Sequence, residues 1–520
     1  MSNTRIHARN LGANWLANGA SLVTMFFLSP FVVNTLGPVE YGIWTLLNVL
    51  TGYMGVLDLG IRASTGRHIL LYLGSGNHAA VDGTIRTSMG FYSGLGGIML
   101  LAGLGIGKIF PSVISGVPPE YHELLLKLFP LMALNIWLSA LAAVFSSVLT
   151  AHDRFDLARG VDIIVLLMQT ICMVVVLKLG AGLVGMALVF LGCNLLGLAG
   201  NGVLAWRVYP RLRIWPLSFS RTRLKELLDY GLAAFITSVA QKIIGQTSVL
   251  MAGITVKLGA VTVFDVGSKL VYYSDPFLGQ INNTMFPSIQ RSAARHEIGP
   301  TRWLYLRTGR LSMLFGVLFY AGVIVFAEPF IRLWMLGKKF GEESVHQAAI
   351  IMIILACSKL PLLFVGASAI VLNALGRVRL TAGLALLEAA VNLGLALFFV
   401  LALDWGLAGI ALGTLAARLL VGTFILPWQT CRALRLSFRH YLWQIGGRDL
   451  VAAGLAVMFF GALRRVIPTV SWTGFLLQIC MAVLIYLPIA WWILITRADR
   501  LRVREKIRGR LGNKMESAAR

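Results

Sequence analysis

The chain has 520 residues, 57% of them hydrophobic and only 13% charged, with a formal net charge of +24. Soluble domains carry about a quarter charged residues, so this composition excludes an ordinary soluble protein. A positive surplus of this size could point to nucleic acid in a soluble chain; here its placement along the chain matters more than its sum, and no nucleic-acid partner is expected.

Apolar stretches of about 18 residues or more are long enough to cross ~30 Å of hydrocarbon as helix. Fourteen follow in order: 12–36, 41–63, 85–107, 124–150, 160–178, 183–206, 228–254, 260–288, 310–331, 347–372, 380–403, 407–428, 449–466 and 474–496. They exceed the length of a barrel strand and lack alternation, so the predicted class is all-α. The first stretch follows Arg5 and Arg9 but is too long for the apolar core of a signal peptide, which predicts an uncut first helix. With a cytoplasmic N-terminus and alternating spans, 33 of the 46 Lys and Arg fall in cytoplasmic segments or at the span ends that border them, as the positive-inside rule requires. Both termini are then cytoplasmic, and the basic tail 497–520 lies near anionic lipid.

The chain repeats itself. Leu36-Gly37-Pro38-Val39 matches Leu258-Gly259-Ala260-Val261, and Val148-Leu149-Thr150-Ala151 with Arg154 matches Val371-Leu372-Asn373-Ala374 with Arg377. Gly182-Leu183-Val184-Gly185-Met186-Ala187 matches Gly406-Leu407-Ala408-Gly409-Ile410-Ala411. The offsets of 222, 223 and 224 predict two parallel six-helix repeats, 1–206 and 228–430, joined by a basic cytoplasmic linker at 207–227. Two further helices at 431–496 and the tail 497–520 complete the expected organisation.

Ionisable side chains inside a bilayer cost several kcal/mol unless they face protein or water, so each is a candidate functional group. In the second span Asp58 and Arg62, spaced i,i+4, read as a pair near the cytoplasmic end, with Arg62 also a candidate for the substrate path. The seventh span offers a stripe of Ser238, Lys242 and Gln246. In the eighth, Asp265, Lys269, Tyr272, Pro276, Gln280 and Asn283 step by three or four along one predicted helical face, with Asp275 one position off it. Amides and a phenol there suit sugar hydroxyls; the alternative is a polar seam between helices. Lys359, Glu388 and Arg418 fall near the midplane of the tenth, eleventh and twelfth spans, where Lys and Arg could neutralise an anionic cargo or form structural pairs. The substrate-path candidates are thus Arg62, Lys242, Lys269, Tyr272, Gln280, Asn283, Lys359 and Arg418. Asp58, Asp265, Asp275 and Glu388 are candidates for charge pairing or ion coupling. Pro30, Pro130, Pro276 and Pro361 mark expected kinks.

The five cysteines show no paired spacing, no His/Cys cluster has metal spacing, and no phosphate-binding Gly-x-x-x-x-Gly-Lys-Ser/Thr loop is present. No cofactor and no catalytic centre are expected.

Asn14-Trp15, Leu36-Gly37 with Tyr41-Gly42-Ile43-Trp44, and Leu57-Asp58-Leu59-Gly60-Ile61 resemble bacterial O-antigen and exopolysaccharide flippases, in pattern over roughly residues 10–430. Those belong to the superfamily that also contains multidrug and toxic compound extrusion (MATE) antiporters and the lipid II flippase. The resemblance implies a MATE-like fold in the bacterial inner membrane. It also implies translocation of an undecaprenyl-diphosphate-linked oligosaccharide by alternating access, with the polyprenyl tail in lipid. Membrane lipid, a polysaccharide polymerase and a chain-length regulator are the partners it suggests. A cation-coupled drug antiporter and a membrane glycosyltransferase or polymerase are the alternatives; the first should place acids at the midplane of the first half, the second should need a large external loop.

Overall fold

The computed structural model describes residues 3–114, 116–212, 214, 220–495 and 500. The expected tail 497–520 lies outside the described residues except Arg500, as does part of the expected linker. In chain order the first helices are α1 (Asn3–Leu36), α2 (Pro38–Met54), α3 (Ile61–Gly74), α4 (His78–Val113), α5 (His122–Ala151), α6 (Phe155–Lys178) and α7 (Gly182–Val208). There follow α8 (Arg221–Thr255), α9 (Leu258–Tyr273), α10 (Asp275–Ala294), α11 (Ile298–Met335), α12 (Glu342–Val365) and α13 (Ala367–Ala374). The last are α14 (Val378–Leu401), α15 (Gly406–Ala417), α16 (Leu426–Ala433), α17 (Phe438–Tyr441), α18 (Arg448–Val466) and α19 (Trp472–Ile489), with a π-helix, Arg418–Ile425, joining α15 to α16. Among the described residues there is no β-strand.

Ten described helices are long and apolar enough to cross a membrane, and eleven when α2 and α3 with the turn between them count as one bent span. The count of fourteen is therefore not reached, although all fourteen expected stretches are largely helical. The reasons are local. Gln241, Lys242 and Gln246 interrupt the apolar run of α8. The expected span 260–288 is divided at Ser274 into α9 and α10, because Pro276 has no N–H to give to the Tyr272 carbonyl. In α18, Arg448 and Asp449 at one end and Arg464 and Arg465 at the other shorten the apolar run. The other expected kinks, Pro30, Pro130 and Pro361, lie inside continuous helices.

The chain divides into two compact units. Unit 1 comprises 1–266, 334–347 and 385–413. In it α4, α5 and α7 pack together, α3 lies against α4, α5 and α8, and α1 against α6. Ile69, Ile85, Met89, Tyr92, Val144 and Phe145 are at the centre of that core. The lipid-facing helices are apolar outward: Phe27 and Leu101 are each 71% exposed, which a soluble fold would not sustain along whole helices. The α2–α3 bend of 43° comes from Leu59 and Gly60, both in the left-handed region at φ 51° and 77°. A Cβ on Gly60 would overlap the Gly231 carbonyl, so this glycine also permits the α3–α8 approach. Within the same unit, Trp334 stacks on Phe26 at 5.7 Å and donates its indole N–H to the Phe26 carbonyl at 2.7 Å. Asn34 donates to the Met335 carbonyl at 3.1 Å, and the Lys339 amine to those of Thr35 and Leu36 at 2.5 and 3.2 Å. Segment 334–347 thereby caps the C-terminal end of α1, where a cation suits the helix dipole.

Unit 2 comprises 267–333, 348–384 and 414–520. α10, α13 and α16 pack in sequence, and α18 lies along α19. Phe326 meets Phe460 and Phe475, so α11 joins α18 and α19 through aromatic rings. Arg464 fastens the same helices, donating to the Val325 carbonyl at 2.9 Å and to Glu328 at 3.0 Å.

Candidate functional site

The polar groups of unit 2 converge around the α9–α10 interruption. Ser274 donates or accepts a hydrogen bond with the Tyr320 hydroxyl at 2.8 Å, tying the break to α11. Asp275 opens α10, and the Lys359 amine of α12 lies 2.6 and 2.5 Å from its two carboxylate oxygens. The same amine stands 5.3 Å from the centroid of the Tyr272 ring, a cation–π contact. The pair is asymmetric: the Lys359 side chain is 9% exposed and that of Asp275 is 48% exposed.

Arg418 begins the π-helix and is 6% exposed. Its Nε and Nη1 are buried with no hydrogen-bond partner, and the buried Tyr272 hydroxyl also has none. The guanidinium lies within electrostatic reach of Tyr272 and Tyr320, as does the Asp275 carboxylate. Unsatisfied buried donors of this strength call for an acceptor. The wide π turn is a frequent device for presenting such a side chain.

Unit 2 also holds an apolar recess of about 370 Å³, walled by Leu270, Phe315, Phe319, Met352, Ile479 and Val483 among others. Gly322 also lines it and faces open space.

Unit 1 holds a separate polar cluster at the α2–α3 bend. Asp58 accepts a hydrogen bond from the Tyr92 hydroxyl and caps the Arg62 amide at 3.3 Å. The Arg62 side chain is exposed, and no ion pair to Asp58 is seen. Lys242 of α8 donates to the Gly52 carbonyl and senses the charges of Asp58 and Arg62. Asp265 of the eighth expected span accepts from the Tyr41 hydroxyl at 2.8 Å. Lys269 is buried, Gln280 half-buried, and Glu388 half-buried in α14 of unit 1. The Asn283 side chain lies outside the described residues. Sequence reasoning thus named Tyr272, Asp275 and Lys359 but not that they meet, and Arg418 but not its two unpartnered nitrogens. It missed Ser274 and Tyr320, which carry no charge and sit in apolar surroundings.

The fold defines a multi-pass helical membrane protein of the kind seen in two solved transporters. One is an inward-facing multidrug resistance MATE family transporter of the MOP superfamily (TM-score 0.67, 16% identity, 79% of this chain and 95% of that one). The other is the lipid II flippase MurJ in an inward closed conformation (TM-score 0.69, 15% identity, 92% and 97% covered). In sequence, residues 121–345 match the family described as polysaccharide biosynthesis protein, which upholds the resemblance drawn from the first two helices. An inferred O-antigen transporter of Shigella flexneri is 29% identical over 150 residues, 28% of this chain. That match spans 34% of the Shigella protein's length.

Proposed function

We propose that the protein is an inner-membrane flippase that carries a polyprenyl-diphosphate-linked oligosaccharide to the outer leaflet by alternating access, with no catalytic chemistry of its own. In this reading the fourteen expected spans form two six-helix repeats, 1–206 and 228–430, with 431–496 appended and both termini cytoplasmic. The observation that carries it is Arg418: a buried guanidinium with two unpartnered nitrogens, in a chain whose middle matches polysaccharide biosynthesis proteins. A diphosphate crossing the bilayer needs donors to replace its water, and guanidinium supplies them in a fixed fork. The apolar recess suits the first isoprene units of the tail. A polymerase and a chain-length regulator are partners that fit this role.

In cells that depend on this protein for polymer export, Arg418→Ala and Lys359→Ala are expected to abolish export with normal protein levels in the membrane. Arg418→Lys should retain part of it, because charge survives while the fork is lost. Full export by both alanine variants sinks the assignment. The drug-antiporter reading gains support if those variants instead change resistance to cationic drugs.

A further inference from the structure

At the end of α11 that the proposed orientation places in the cytoplasm, a short segment of unit 2 is pinned on one side and basic on the other. α11 starts at Ile298, about three turns before the expected span at 310. Residues 434–447, between the expected spans 407–428 and 449–466, are fixed to those turns. Arg302 donates to the Leu434 and Arg435 carbonyls at 2.9 and 3.0 Å, and the Tyr441 ring stacks on Tyr305 at 5.3 Å. Ser437 caps α17, and a π-helix, Leu442–Gly447, leads into α18. Arg435, Arg439 and Trp443 are left outward, the indole 72% exposed. On the same turns of α11, Trp303 is exposed, with the Arg307 guanidinium 4.7 Å from its ring centroid. Between 291 and 310 and between 432 and 448 the chain has nine arginines, no lysine and one acid, Glu297. Among the described residues Arg307, Arg435 and Arg439 have no ion pair, whereas in unit 1 Arg9 and Arg154 share Asp156 and Arg159 holds Asp162. Arg435 also holds the left-handed conformation at φ 53°, where glycine sits without strain and a longer side chain does not. An arginine is thus kept at a position whose backbone favours glycine.

We propose that this rim of unit 2 is a binding site for an anionic phospholipid of the cytoplasmic leaflet, its phosphate held by Arg307, Arg435 and Arg439 and its glycerol end beside Trp303 and Trp443. The lipid supplies the negative charge that Asp156 and Asp162 supply in unit 1. Guanidinium is suited to this because its fork takes two phosphate oxygens at once, where an ammonium acts as a point charge. Exposed indoles at the edge of a span sit at the level of the headgroups. An acidic protein segment would match the charge but leave both indoles unexplained, so the surface favours lipid. The reading rests on the proposed orientation only for the choice of leaflet, and is independent of what the protein carries.

The test uses the full-length protein in phosphatidylcholine nanodiscs, which expose both faces, so its outcome depends neither on orientation nor on transport. A rising fraction of phosphatidylglycerol brominated on its acyl chains is compared with brominated phosphatidylcholine, and tryptophan quenching is read. A preference of about tenfold for the anionic lipid is expected, saturating at low fractions. Trp303→Phe combined with Trp443→Phe should lose the extra quenching. Replacing Arg307, Arg435 and Arg439 together by Gln should abolish the preference. Replacing them by Lys keeps the charge and should still lose most of it, because the forks are gone. Arg207→Gln with Arg211→Gln, which takes two charges from unit 1, should change nothing. Arg435→Gly should melt no earlier than wild type in phosphatidylcholine yet bind phosphatidylglycerol less, opposite responses that a purely structural arginine would not give. No preference in the wild type, full preference in the lysine variant, or an equal loss in the unit 1 variant overturns the site in favour of diffuse charge. Capture of soluble polyglutamate in preference to phosphatidylglycerol overturns it in favour of an acidic protein. Full export by Arg418→Ala and Lys359→Ala would sink the transport assignment and leave this site standing.

Discussion

Asp153 and Gly376, 223 positions apart, hold the same left-handed backbone conformation at φ 57° and 77°. Each precedes the same bond: the Arg154 N–H donates to the Leu149 carbonyl at 3.0 Å, the Arg377 N–H to that of Leu372 at 2.9 Å. The turns after α5 and α13 are therefore one turn used twice. Aspartate tolerates this region and glycine occupies it without strain, but a β-branched residue does not. Gly376→Val is expected to destabilise by about 1–2 kcal/mol, and Asp153→Gly to be neutral or slightly stabilising. Thermal unfolding in detergent reads both; a Gly376→Val variant as stable as wild type would deny the turn any role.

The exposure difference in the Asp275–Lys359 pair predicts unequal losses. Removing Asp275 takes the carboxylate from a buried amine, whereas removing Lys359 leaves a carboxylate that still meets solvent. Asp275→Ala should lower the melting temperature more than Lys359→Ala, and the double variant less than the two effects summed. Additive losses would mean the two groups do not act as a pair.

The recess beside Gly322 can be filled without disturbing the backbone, since nothing lies within 4 Å of where a Cβ would stand. Gly322→Phe should leave thermal stability near wild type and slow transport of long-tailed lipid substrates more than that of short-tailed analogues. Equal slowing of both would show that no apolar tail lodges there.

At the end of α1, Trp334 is expected to dominate the docking of segment 334–347. Trp334→Ala removes a ring 7% exposed together with its hydrogen bond and should cost roughly 3–5 kcal/mol. Lys339→Ala loses only an exposed cap and should cost under about 1 kcal/mol. Protease nicking within 336–341 would rise sharply in the first variant and little in the second. The reverse order would assign the docking to the cap.

Much of this was legible in the chain before any coordinates. Helix positions followed from runs of apolar residues, and the Leu57–Ile61 signature marks a real break: Leu59 and Gly60 take the left-handed conformations that bend it. Gly42 lies so close to the Leu258 carbonyl that a Cβ there would stand 2.5 Å from its oxygen, which explains a second residue of that signature. The interruptions at Pro276 and at the polar residues of α8 and α18 went unseen, because hydrophobic length alone does not register a break. Charges at depth were visible one by one. Their partners were not: Lys359 and Asp275 are 84 positions apart, and no local pattern couples them. Tyr320 stayed hidden for the opposite reason, as a phenol among apolar neighbours looks like packing until its hydroxyl is seen to bond Ser274.

The π-helix Arg418–Ile425 has a consequence for phase. Its wider turns, one of them marked by the Thr423 hydroxyl donating to the Arg418 carbonyl five residues back at 3.1 Å, hold one more residue than an α-helix of that rise would. Deleting a single residue between 419 and 422 would return the ladder to four-residue spacing with the helix beyond it in its present phase, whereas winding all the residues of the segment as α-helix would rotate that helix by about 100°. Pro427, Thr430 and Cys431, now turned inward, would keep that orientation in the deletion and swing outward in the α-wound form, so the width of this one segment sets the azimuth of all that follows Arg418.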